Sequence, residues 1–134
     1  MRPLKFRVWD TKHQIMCDVY QLQWIGGILW ADCIPHLQAG EIQIRRVLNT
    51  TRHPIMQFTG LTDKNGKEIY EGDILQYTLD INKDFPKVVK WYRGCFGFNQ
   101  RIDYFRSFFD DVDLDEYTVI GNIHENPMEG MNDK

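Results

Sequence analysis

Alanine is almost absent: Ala31 and Ala39 are the only two in 134 residues, and glutamate (6) is outnumbered by aspartate (13). Both scarcities remove strong helix formers and put a cap-and-turn residue in their place, which counts against a helical bundle. Cysteine is scarce as well. Three residues, an odd number spaced far apart, do not make a disulfide scaffold and fit a reducing compartment. No apolar run approaches the ~20 residues of a membrane span, and Met1-Arg2-Pro3-Leu4-Lys5 lacks the apolar stretch of a signal peptide. Positive charge is not in excess: 16 basic and 19 acidic residues leave a formal −3, which argues against a generally polycationic nucleic-acid binder. The expectation is a soluble, cytoplasmic globular chain with no membrane partner.

What is present points to strands. Val, Ile and Thr (7, 13 and 7) with 18 aromatics make about a third of the chain, and these side chains suit a pleated, half-buried surface. Period-two alternation recurs. Leu4, Phe6 and Val8, then Ile15, Cys17 and Val19, flank a polar turn at 10–13 and read as a hairpin. Gln21 to Trp30 is a third run, interrupted by Gly26-Gly27. Ala31 to Gly40 holds Pro35 and reads as a loop with one helical turn. Glu41 to Leu48 alternates again, and the polar stretch Asn49 to Pro54 is a junction. Ile55–Thr59, Ile74–Leu79, Lys87–Arg93 and Tyr117–Ile123 are further strands, with a strong turn signal at Asp63-Lys64-Asn65-Gly66 and a polar connector at 80–86. Ile102, Phe105 and Phe109 fall at helical spacing, so Arg101–Phe109 is expected to be a short helix. The fold expected is mainly β: a small SH3-like barrel or sandwich in the C-terminal half, packed with an N-terminal β subdomain. One domain, 1–134, is expected to divide into a meander over 1–53 and a barrel over 54–127, with a flexible tail at 128–134.

No catalytic, metal or cofactor site survives inspection. Asp111, Asp113 and Asp115 alternate as in a calcium loop, but Glu116 and Asn122 stand where that loop needs its turn glycine and its closing glutamate. Cys33 and His36 are close in sequence, yet Cys17 and His53 are not a second close pair of the kind a structural zinc site uses. Cys95 has no histidine near it and reads as a small hydrophobe. His124-Glu125-Asn126-Pro127-Met128 begins like a zinc-protease helix and fails at Met128 and Pro127. Gly94 to Gly97 lacks the Lys-Ser/Thr of a phosphate loop, and Asn49-Thr50-Thr51 is a glycosylation acceptor only in a secreted chain. Glu68, Glu71 and Asp73 have no base or lysine at defined spacing and read as turn and edge residues.

One strand is a candidate binding surface. Lys87, Lys90, Trp91, Tyr92 and Arg93 interleave cations with aromatics, as a nucleic-acid stacking platform does. The competing reading is an edge guarded by Lys and Arg while Trp91 faces the core.

Three segments together resemble the YopX-type family of bacteriophage and prophage proteins: Lys5 to Asp10, Met56 to Ile74, and Val119 to Pro127. The resemblance implies a mainly β phage or prophage protein in the bacterial cytoplasm, and it carries over no catalytic residues. Its signature glycines and polar residues, Gly60, Gly66, Gly72, Asp73, Gly121, Asn122 and Pro127, read as turn formers. Tyr70 to Ile74 is similar to the opening strand of SH3-like barrels, where a Gly-Asp turn leads into a core strand. The function expected is a non-enzymatic interaction module that binds a host or phage protein and itself as a homo-oligomer. The alternative is a nucleic-acid-binding barrel, since residues 1–100 carry 13 basic and 10 acidic residues (net +3) and residues 101–134 carry 3 and 9 (net −6).

Overall fold

In the computed structural model, residues 3–36, 44–79, 87–101, 104–108 and 112–126 are described. The period-two runs form antiparallel strands, and no α-helix occurs among the described residues. No helix there is long and apolar enough to cross a membrane. The chain divides into two units, Pro3–Gln57 and from Phe58 onward.

The first unit contains β1 (Phe6–Asp10), β2 (Ile15–Ile25), β3 (Ile28–Pro35), β4 (Arg46–Asn49) and the start of β5 (Ile55–Thr62), in the order β4-β3-β2-β1-β5. One sheet face gathers Val8, Cys17, Ala31 and Cys33 with Ile15, Val19, Leu22 and Leu48, and Trp9, Met16 and Met56 form a separate cluster. Gly26 and Gly27, at φ of +59° and +79°, make the two-residue turn between β2 and β3 that a right-twisted hairpin favours.

In the second unit the remainder of β5 pairs with β6 (Glu68–Tyr70). A five-stranded sheet follows, β10-β9-β8-β7-β11, from β7 (Asp73–Tyr77), β8 (Lys87–Tyr92), β9 (Cys95–Arg101), β10 (Tyr104–Ser107) and β11 (Tyr117–Asn122). Ile69, Leu75, Val89, Phe98 and Tyr117 are its buried core.

The structure differs from the expectations in four places. Of the barrel or sandwich expected in the C-terminal half, a closed barrel is not formed among the described residues: the five-stranded sheet of the second unit has β10 and β11 at its ends. The helix expected over Arg101–Phe109 is not formed by its described residues: Arg101 ends β9 and Tyr104–Ser107 is β10, with a register shift between Tyr104 and Phe105, and residues 102, 103 and 109 lie outside the described residues. Aromatics at helical spacing did not outweigh their preference for a pleated surface. Ala31–Pro35 is strand and not loop, because Ala31 and Cys33 are small enough to pack fully buried beside Val8 and Cys17, and Pro35 only terminates the run. The third expected run is also continuous with the second, joined through a bulge between Val19 and Gln21. The 80–86 connector, Pro127 and the 128–134 tail lie outside the described residues.

Candidate functional site

The signature residues are occupied with backbone. Asp63 is nearly buried, and both its carboxylate oxygens are taken: Oδ1 accepts the Asn65 and Lys67 amides (2.8 and 2.9 Å), and Oδ2 accepts the Val119 amide (2.9 Å). Burial pushes this carboxyl up, but the amides of Val119, Lys67 and Asn65 outweigh it and hold Asp63 below the usual carboxylate range. One side chain thereby closes the 63–67 turn and ties it to β11, an attachment repeated where the Lys64 amide donates to the Tyr117 carbonyl (2.9 Å). Gly72, at φ +85°, sits where a side chain would be strained; its amide donates to Val89 O and its carbonyl accepts from Ile123 N. Asp73 Oδ2 accepts the Tyr70 amide (2.8 Å). Asn122 Oδ1 accepts from the amides of His124 and Glu125, and its Nδ2 donates to Glu125 Oε1. A Cβ at Gly121 would run into the Asn126 side chain. Gly66 lies in the Asp63 turn and Gly60 in the irregular stretch of β5 opposite β6. Sequence reading placed Asp63 in a turn, but its long-range tie to Val119 was not visible in its neighbours.

The β8 candidates divide between two faces. Lys90 and Tyr92 share a face with Phe105: the Tyr92 and Phe105 rings are 5.0 Å apart, and Lys90 Nζ lies 5.3 and 5.8 Å from their centroids. The Arg93 guanidinium lies 5.3 Å from the same Tyr92 ring. Lys87 and Trp91 alternate onto the other face, with Val89 and Phe98. Trp91 is half exposed but sets its ring edgewise on Phe96 at 4.7 Å. The five residues therefore do not form one platform, and the ring that is best placed already has two cations against it.

Among the described residues, a group of titratable side chains in the first unit surrounds fully buried Asp10. Its Oδ1 accepts the Lys12 and His13 amides (both 3.1 Å); its Oδ2 meets His13 Nδ1 and Arg46 Nη1 (both 2.9 Å). Burial raises the Asp10 carboxyl, and the His13 amide, the His13 ring and Arg46 together bring it below its ordinary value. Beside it, His53 Nδ1 accepts from the Thr11 amide (3.1 Å) and lies 3.9 Å from Asp10 Oδ1. In a nucleophile–histidine–carboxylate relay, that nitrogen donates to the carboxylate. Here that nitrogen accepts the Thr11 amide and also lies 3.1 Å from Thr11 Oγ1, so it does not donate to Asp10 as the relay requires. Cys17 and Cys33 lie together in the core cluster, and the neighbouring Cys17 thiol and burial push the Cys33 thiol up. His36 pairs with Asp18 (2.8 Å), so Cys17, Cys33, His36 and His53 do not converge.

The remaining feature is the end of the β2–β3 hairpin. From Val19 to Ala31 there is no charged residue. Trp24 is 72% exposed and Ile25 55% exposed, while Ile28, Leu29 and Trp30 are half-buried. The alternation and the two glycines were legible in the sequence; the exposure was not. The available signal was the thirteen-residue run without charge on a strand pair, where an exposed strand ordinarily carries Lys or Glu.

No curated protein matches the chain. Among solved structures it is similar to the crystal structure of protein EF1440 from Enterococcus faecalis, with 28% identity and a TM-score of 0.63, covering 97% of this chain and 99% of that one. The model of the YopX protein family matches residues 5–129, nearly the whole chain and all three of the segments quoted from its sequence, and the chain belongs to that family.

Proposed function

We propose that the protein is a non-enzymatic protein-interaction module of a phage or prophage, acting in the bacterial cytoplasm, with the end of the β2–β3 hairpin as its docking element. The observation that carries this is the exposure of Trp24 and Ile25 at the tip of an uncharged strand pair. Covering a large apolar side chain is worth roughly 1.5–3 kcal/mol, and tryptophan dominates the energetics of interfaces more often than most residues. The signature supports the same division of labour, since Asp63, Asp73 and Asn122 each accept backbone amides through side-chain oxygens. Affinity purification of the tagged chain from phage-bearing cells, with the captured proteins identified and rebound in purified form, tests this. A stoichiometric partner is expected; a chain that recovers none would refute the reading.

A second reading rests on Lys90 and Arg93 around Tyr92, which could meet a nucleic-acid strand. Binding of labelled single- and double-stranded DNA and RNA at low and moderate salt decides it. Salt-sensitive binding lost in Lys90→Ala/Arg93→Ala supports it, and no binding at low salt removes it.

A further inference from the structure

Beyond Asp18, β2 has a strand on one side only. β1 pairs with it from Ile15 to Asp18, whereas β3 follows it on the other side to Ile25. Among the described residues, Val19–Ile25 is thus an open edge, and Tyr20, Gln21, Trp24 and Ile25 on it are exposed. Open edges are normally guarded by charge or proline, and this one carries neither. Its sequence is also a palindrome of residue type: Val19-Tyr20-Gln21-Leu22-Gln23-Trp24-Ile25 reads apolar, aromatic, Gln, Leu, Gln, aromatic, apolar from either end.

We propose that this edge pairs antiparallel with the same edge of a second copy, about a two-fold axis through Leu22. This rests on the hairpin being the docking element and names its partner. In that register Leu22 faces Leu22, each Gln21 faces a Gln23, each Tyr20 a Trp24, and each Val19 an Ile25. A two-fold interface places the same patch on both sides, so a self-pairing strand must have matched residues at equal distances from the axis. Aromatic and β-branched pairs opposite one another stabilise such a ladder by roughly 0.2–1 kcal/mol each, and like charges would oppose it. The pattern meets both conditions. The bulge at Tyr20 bends the strand there, so Gln21–Gln23 is the straight centre of the ladder, and the Tyr20–Trp24 and Val19–Ile25 pairs form its two ends. Tyr20 is fixed on the sheet by Arg45, beside the start of β4, whose Nε donates to Tyr20 Oη (2.9 Å) and whose guanidinium lies 5.3 Å from that ring.

Sedimentation of the purified full chain tests this directly. The wild type is expected to move from 16.0 kDa to twice that mass as concentration rises. Gln21→Lys/Gln23→Lys puts lysine opposite lysine twice and is expected to weaken the dimer roughly tenfold or more; a lysine at position 23 still offers Asp32 a donor in place of the Gln23 amide, so circular dichroism should stay unchanged. Register is read from a nitroxide at Ile25→Cys in a Cys95→Ser background. Ile25 opposes Val19, six residues from its own counterpart, so the labels should lie about 20 Å apart at ~3.3 Å per residue. A chain that stays monomeric, a dimer indifferent to the two lysines, or a distance far from that value overturns the pairing. A monomer that still recovers a foreign protein through Trp24 would overturn the self-pairing and leave the interaction-module reading standing.

Discussion

Replacing Asp63 by asparagine tests whether the family signature is scaffold. In the wild type three backbone amides point at one ionised carboxylate. Asparagine keeps a single carbonyl oxygen, which can serve the Asn65 and Lys67 amides, and turns its NH2 toward the Val119 amide, donor against donor. Exchanging a charged for a neutral acceptor at two bonds costs about 0.5–1 kcal/mol each, and leaving the Val119 amide unpaired costs about 1–3 kcal/mol. The expected total is about 2–5 kcal/mol, read from urea denaturation followed by circular dichroism and tryptophan fluorescence. The pH dependence carries a sign. Because the folded Asp63 carboxyl lies below its unfolded value of about 3.9, its contribution is present above that pH and lost as pH falls through the lowered folded value. The gap between wild type and Asp63→Asn should therefore be full at pH 7 and shrink below about pH 4, where the protonated acid resembles the amide. A difference under about 1 kcal/mol at pH 7, or one equally large at pH 3, would refute the reasoning.

Other perturbations follow from the same geometry. Gly97→Ala places a Cβ against the Arg106 carbonyl and the Phe105 ring, where backbone cannot yield, and should cost about 1–3 kcal/mol or more in thermal or urea unfolding. Arg46→Met removes one partner of buried Asp10 while the His13 contacts remain; a loss of about 1–3 kcal/mol is expected in unfolding experiments, together with an upward shift of the Asp10 carboxyl in an NMR titration. Tyr92→Ser, which removes the ring under Lys90 and Arg93, should leave capture of a protein partner unchanged in affinity purification.

Much of the strand layout was legible because period two is strong where one sheet face is buried, as at Phe6, Val8 and Ile15 to Val19. The reading failed where burial overrode intrinsic preference. Ala31 and Asp32 are poor strand residues in isolation, yet Ala31 fills the core beside Cys17, and Asp32 is held by Gln23. It failed again at 104–107, where the apolar spacing fitted a helix and pairing with β9 decided otherwise. The roles of Asp63 and Asp10 were hidden for a different reason: Val119 lies 56 residues from Asp63 and Arg46 lies 36 from Asp10, and no local pattern encodes such a partner. Tyr92 and Phe105 likewise meet only because β9 lies between their strands.

The central claim, that the uncharged hairpin end and not the cationic β8 surface docks the partner, is tested most directly by parallel affinity purifications of wild type, Trp24→Ser and Tyr92→Ser from phage-bearing cells, with each variant first shown to be folded. The prediction is that wild type and Tyr92→Ser recover the same protein and Trp24→Ser does not. Recovery by Trp24→Ser with loss in Tyr92→Ser would contradict it.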